Sequence, residues 1–295
     1  MTTTFGPSAS GTTYRLDQKL GQGKFGTVYK AYPISEETGQ ETSPVALKLY
    51  TNRFMRSTIE NEVEKLTRTA ACPNVVKYID RSRSQELLEF IVVEYVPETL
   101  SERIRINTDT EYNGITQEIV VQYLSQISGI LAVLHQEKIA HLDLKPQNMG
   151  VKENVLKIFD FGLSREFGQD FSGSFKEPSA YYPPELRFQR KVTERCDTYC
   201  AEKLLESMLI GGYTDSTERA IDLIESIHEI TLPISFKMLM LAMTAKTTER
   251  PPPEGVEILA QQAVYDIRKQ NLFQPQKFLL LSDARFFPES SSLVA

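Results

Sequence analysis

His141-Leu142-Asp143-Leu144-Lys145-Pro146-Gln147-Asn148, with Asp160-Phe161-Gly162 further along, is the stretch on which the reading of this chain turns. Asp143, Lys145 and Asn148 fall in one loop, and Asp160 stands directly behind the apolar run 155–159. Asp160 and Asn148 are hard oxygen donors which, together with phosphate oxygens and water, suit Mg²⁺. Asp143 is then free to take the proton of an incoming hydroxyl. Taken singly, each aspartate reads as well as a helix cap or a solvated loop residue. The spacing of the whole set favours chemistry over that bland reading.

Working outward from there, Gly21-Gln22-Gly23-Lys24-Phe25-Gly26 offers backbone N–H groups to an anion, because glycine tolerates unusual φ and leaves room for close approach. A plain hairpin turn is the alternative. No helix follows directly and no Gly-Lys-Ser/Thr is present, which argues against a dinucleotide fingerprint and a Walker loop. Lys48 ends the apolar run Val45-Ala46-Leu47, so its ammonium would sit among buried side chains and need a partner. Glu60, Glu62 and Glu64 lie on the helical segment 58–69. Leu66, one turn beyond Glu62, makes that face the inward one and favours Glu62.

The organisation around these residues is a β-rich part followed by a mainly helical one. Short apolar runs around Tyr14–Leu20, Val28, Val45–Leu49, Val76 and Val92 read as strands. Apolar residues at helical spacing mark helices over 117–136, 197–209, 220–230 and 235–245. Residues 1–13, rich in Thr, Ser and Gly, read as a flexible tail, and 269–295 as a C-terminal one. A chain of 295 residues with a net charge of −6 and interspersed signs shows no basic stripe, so nucleic acid is not an expected partner. Cys72, Cys196 and Cys200 are too few and too irregular for a disulfide framework, and read as buried thiols of a reducing compartment. No stretch resembles a secretory signal or a membrane span, so the expected site of action is cytoplasmic.

Gly-Gln-Gly-Lys-Phe-Gly-Thr-Val-Tyr (21–29), Val-Ala-Leu-Lys (45–48), residues 141–148 and Asp-Phe-Gly (160–162) occur in this order, and together they resemble the signature set of eukaryotic serine/threonine protein kinases. The resemblance implies a bilobal α+β fold: an N-lobe over about 14–93, a hinge at about 94–98, a C-lobe over about 99–268, and ATP in the cleft. It implies that Gly21, Gly23, Lys24, Phe25 and Gly26 cover the phosphates. Lys48 would hold the α- and β-phosphates against Glu62, Asn148 and Asp160 would bind Mg²⁺, Asp143 would be the base, and Lys145 would neutralise the γ-phosphate. Val28 and Ala46 would roof the adenine, Val93 would guard the back of its site, and the backbone of Glu94 and Val96 would meet its edge. Glu185 would pair with Arg250, and Asp197 would anchor the catalytic loop.

The departures from the family pattern are equally specific. Leu142 stands where many members carry the arginine that receives an activation-loop phosphate, which implies weak dependence on that phosphate. Phe167, Phe171 and Phe175 could order the segment by apolar burial instead. Ser164, Ser172, Ser174, Ser179, Tyr181 and Tyr182 remain as possible modification sites. Pro178 replaces an expected threonine, Gly150 an expected leucine under the adenine, and Glu202 a common glycine. Rival readings are a nucleotide-binding scaffold without turnover and a kinase for a non-protein hydroxyl.

Overall fold

The computed structural model describes residues 3–23, 25–35, 39–50, 56–82, 89–109, 117–171, 181–188 and 191–270. Lys24, Ser172, Ser174, Phe175, Pro178, Ser179 and the segment 271–295 lie outside them. The chain divides into two compact units, Met1–Pro97 with Val151–Ser164, and Glu98–Gly150 with Arg165–Ala295.

The first unit is built on β1 (Thr4–Phe5), β2 (Thr13–Gln22), β3 (Gly26–Ile34), β4 (Val45–Tyr50), helix α1 (Arg56–Arg68), β5 (Tyr78–Arg81) and β6 (Phe90–Glu94). The strands form one sheet in the order β1-β2-β3-β4-β6-β5, antiparallel throughout. Side chains alternate across a strand. In β4 that sends Val45 and Leu47 into a core with Tyr14, Ala31, Phe90 and Val92, and Ala46, Lys48 and Tyr50 to the opposite face.

The expected flexible tail is not one over residues 4–12. Thr4 and Phe5 pair with Arg15 and Tyr14 as an edge strand, and the Phe5 ring meets Phe90 edge-on at 6.3 Å. Ala9 N–H donates to the Arg81 carbonyl at 2.8 Å. The hydroxyls of Ser8, Ser10 and Tyr14 all donate to one oxygen of Asp80. Burial pushes that carboxyl up, but the hydroxyl and backbone bonds outweigh it and hold Asp80 below the usual carboxylate range. Composition misleads here because the segment is fixed by hydroxyls on a carboxylate and by backbone pairing, neither of which an apolar count registers.

In the second unit, β7 (Glu98–Thr99) leads into α2 (Leu100–Asp109), α3 (Gln117–Gln136) and β8 (Ile139–Ala140). The chain then passes through β9 (Met149–Lys152) and β10 (Val155–Ile158), which form a hairpin, and this segment departs from the expected C-lobe boundaries by belonging with the first unit. Its ties explain why. Val75 bridges Ile158, Asn74 donates to the Leu156 carbonyl at 2.9 Å, and Lys152 and Lys157 both bind Glu94.

Back in the second unit, β11 (Arg165–Glu166) pairs with β8, and α4 (Pro184–Phe188), α5 (Cys196–Ile210), α6 (Thr217–His228), α7 (Ile234–Thr244) and α8 (Pro253–Gln270) follow. α8 packs on α3 and α7, and α5 on α6 and α7. Helix α5 is buried from Cys196 to Leu209 on nearly every side, as a helix at the centre of its unit is, and it ends at Gly211 with φ 75°. All three cysteines are free and buried. Burial pushes the Cys196 thiol up to about 12.

Candidate active site

Each unit carries its own group of the residues singled out above. In the first unit the glycine turn joins β2 to β3. A Cβ at Gly26 would stand 2.1 Å from the Leu49 carbonyl oxygen, so glycine there is demanded by the neighbouring strand. At Gly21 and Gly23 a Cβ would meet nothing within 4 Å. Nothing among the described residues fills that space. Gly23 N–H donates to the Gly26 carbonyl at 2.9 Å, and Phe25 covers Gly162, where a Cβ would come within 3.0 Å of its ring.

Strand alternation turns Lys48 toward α1, whose Glu62 is 2% exposed. The ammonium donates to both Glu62 oxygens, at 2.9 and 2.7 Å, and to Asp160 Oδ1 at 2.7 Å. An ammonium has three N–H donors, and all are committed. Burial opposes the charge on Lys48, but the two carboxylates win and raise its pKa. Burial raises the Glu62 carboxyl despite the pull of Lys48, with Asp160 adding to the rise. Asp160 takes the left-handed conformation, φ 65°, and its side chain accepts from Gly162 N–H, capping the turn Phe161–Leu163. Of the three candidate glutamates, Glu62 is the one at Lys48. Glu60 pairs with Arg56, and Glu64 with Lys65 and Arg68.

Two residues that sequence reasoning passed over complete this group. Tyr50 donates its hydroxyl to Glu62 Oε2 at 2.7 Å. Asn61 Nδ2 donates to the Ser164 carbonyl at 3.1 Å and reaches the Phe161 carbonyl at 3.4 Å, tying α1 to the turn after Asp160. The period of two in β4 puts Tyr50 on the Lys48 face and was the available signal. Along the hinge, Val93 pairs with Ala46. Glu94 N–H donates to the Lys77 carbonyl at 2.8 Å, leaving its carbonyl as what it can offer a ligand. Val28 and Val96 are half-buried.

In the second unit the loop after β8 hangs from Asp197 on α5. That buried carboxylate accepts from His141 N–H at 2.6 Å and Leu142 N–H at 2.8 Å. The two bonds hold Leu142 at φ 66°, a conformation that is unfavourable by about 1–2 kcal/mol for a residue with a Cβ. Burial raises the Asp197 carboxyl, against His141 and the two backbone bonds. Beyond Leu142, Asp143 accepts from Lys145 Nζ at 2.8 Å and from Asn148 Nδ2 at 2.6 Å. The same Nδ2 reaches the Asp143 carbonyl at 3.0 Å, so the amide oxygen of Asn148 is the atom left for a cation. Pro146 opens the tight turn that presents Asn148. Leu142 is packed with Phe171, Leu186, Val192 and Cys196, and Phe167 lies against them. Glu185 accepts from Arg250 at 2.7 Å, with both side chains buried. Of the suggested modification sites, Ser164 and Tyr181 are buried.

Asp160 offers a carboxylate in the first unit and Asn148 an amide oxygen in the second, each a hard oxygen donor of the kind magnesium takes. The unfilled room at Gly21 and Gly23, beside a lysine aimed from β4, fits the phosphates of a nucleotide. The protein kinase domain model matches residues 14–270. The serine/threonine-protein kinase ULK3 of Xenopus laevis is 28% identical over 287 residues, 94% of this chain and 57% of its own length. The carbon catabolite-derepressing protein kinase of Candida glabrata is 32% identical over 157 residues, 51% of this chain and 24% of its own length. The chain thus spans only part of the length of these relatives. With its glycine turn, its Lys48–Glu62 pair and its Asp143 loop in family order, this chain belongs to the eukaryotic-type protein kinase family.

Proposed function

We propose that this chain transfers the γ-phosphoryl group of ATP to serine or threonine hydroxyls of protein substrates, acting in the cytoplasm. The observation that carries the reading is the Asp143 carboxylate, oriented by Lys145 at 2.8 Å and Asn148 at 2.6 Å. In this reading Asp143 accepts the proton of the substrate hydroxyl as that oxygen bonds to the γ-phosphorus, and the bond to ADP breaks. Lys145 neutralises charge on the transferred group. Its place two residues after the base, and the serine/threonine kinase named among the relatives, favour serine and threonine. Lys48, set by Glu62, holds the α- and β-phosphates beneath Gly21, Gly23, Lys24, Phe25 and Gly26. Val28, Ala46 and the backbone of Glu94 and Val96 receive the adenine. Asn148 and Asp160 would ligate magnesium, which when bound neutralises phosphate charge.

Turnover in this reading depends little on activation-loop phosphate. The packing of Leu142 against Phe171 and Phe167 supports that, because apolar burial holds the part of the segment up to Phe171 where other members use an arginine–phosphate pair. Incubating the purified chain with ATP, Mg²⁺ and a peptide library, with mass-spectrometric readout before and after phosphatase treatment, tests both parts. The expected products are phosphoserine and phosphothreonine peptides, at rates that phosphatase changes by less than about threefold, under about 1 kcal/mol of barrier. A tenfold loss restored by re-phosphorylation would reject the second part. Nucleotide binding without transfer would make the chain a scaffold, and transfer to small-molecule hydroxyls alone would remove the protein substrate.

A further inference from the structure

Lys48 meets an arriving nucleotide with all three N–H donors in use, two on Glu62 and one on Asp160. A phosphate oxygen can be bound only if one of those bonds is given up. Glu62 is then the vulnerable group, since a carboxylate 2% exposed that loses a donor bears the desolvation penalty of an unmade bond. Burial raises the Glu62 carboxyl, Lys48 and the bonds from Lys48 and Tyr50 oppose the rise, and Asp160 adds to it. Tyr50 is 1% exposed, and its hydroxyl donates to Glu62 Oε2, the same oxygen that takes the shorter of the two Lys48–Glu62 bonds. That hydroxyl serves Glu62 whatever Lys48 does.

We infer that Tyr50 is a positioning residue for nucleotide binding: it keeps the Glu62 carboxylate hydrogen-bonded and in place while Lys48 turns a donor from Glu62 to the phosphates. The inference rests on the ATP-binding part of the function proposed above. Tyr50 touches neither phosphate nor substrate in this account and acts through Glu62.

Tyr50→Phe in the full chain removes one oxygen and keeps the ring. The expected result is a KM for ATP raised about fivefold or more, on the scale of one hydrogen bond to a charged group. A kcat changed less than about twofold and an unchanged peptide KM are expected alongside it, with a melting temperature without nucleotide lowered by a few degrees because Glu62 loses a donor. Direct titration with ATP and Mg²⁺ should show the same loss. The decisive arm is Tyr50→Phe on a Glu62→Gln background, where nucleotide affinity should fall less than about twofold further because the charge that Tyr50 serves is gone. An equal loss on both backgrounds, or no change in ATP affinity in the single variant, overturns the inference. If the parent binds ATP but transfers no phosphate, the proposed catalysis fails while the titration still decides the role of Tyr50. A parent that binds no nucleotide overturns both.

Discussion

Asp143 is the residue on which the proposed chemistry depends most, and its surroundings separate it from a binding residue. Lys145 and Asn148 donate to its two oxygens, so Asp143→Asn keeps the side chain's size and one of these bonds while removing the base. Turnover should fall at least about a hundredfold with ATP affinity nearly unchanged, since a general base acts in the transition state more than in the ground state. Steady-state kinetics beside a nucleotide titration checks this, and turnover near the parent value would remove Asp143 from the mechanism. The Lys48–Glu62 pair was legible in the sequence. The apolar neighbours of Lys48 placed its ammonium among buried side chains in need of a partner, and the helical turn from Glu62 to Leu66 chose that partner. The period of two puts Tyr50 on the Lys48 face, but its bond to Glu62 was not legible, because a tyrosine closing a buried strand reads as apolar filler and nothing in the pattern says where a hydroxyl points. Lys48, Glu62 and Tyr50 sit close enough that no single substitution among them measures one bond alone.

Helix α5 carries the least expected side chain among the elements. Glu202 is fully buried and has no hydrogen bond to its carboxylate among the described residues. Lys203 lies 3.3 Å from it, but its bond goes to Glu206 at 2.5 Å. Burial, reinforced by Glu206 and opposed by Lys203, pushes the Glu202 carboxyl well above the usual range. An acid with a raised folded pKa keeps its proton in the fold at a pH where the unfolded chain has released it. Its favourable contribution is therefore full below the unfolded value and is lost as pH climbs toward the folded one. Glu202→Gln should be more stable than the parent at neutral pH by about 2–4 °C in melting temperature, with the difference vanishing near the ordinary carboxylate pKa. Melting curves across that window, with the two proteins compared at each pH, decide it, and a difference that does not vary with pH would refute the assignment. The other elements divide by how cleanly they show a period. α3 runs over the residues its apolar spacing predicts, Gln117–Gln136. α8 was missed: prolines open it, and two of its buried positions, Ala260 and Ala263, are too small to stand out as apolar.

Across the whole molecule, what sequence reasoning found least accessible is contact between distant stretches. The kinase motifs announced the α+β class, but they did not show that residues 151–164 belong with the first unit or that residues 4–12 are tied to its sheet. Asp80 makes the second of these ties, gathering hydroxyls from Ser8, Ser10 and Tyr14. Asp80→Ala leaves those donors without their acceptor, with Ser8 buried, and should destabilise the first unit by about 2–3 kcal/mol. Hydrogen exchange should show the loss first at Ala9, whose N–H is bonded to Arg81. Unchanged protection there would mean that the edge strand holds without the carboxylate. The three cysteines have a practical consequence for labelling the protein. Each is buried, so the fold shields it from an electrophile, and burial raises the pKa of Cys72, Cys196 and Cys200 alike. A cysteine introduced at Gly21, where a Cβ meets nothing within 4 Å, would be the sole nucleophilic thiol. The protein can therefore take one fluorophore or one covalent ligand at its glycine turn without any native cysteine first being removed.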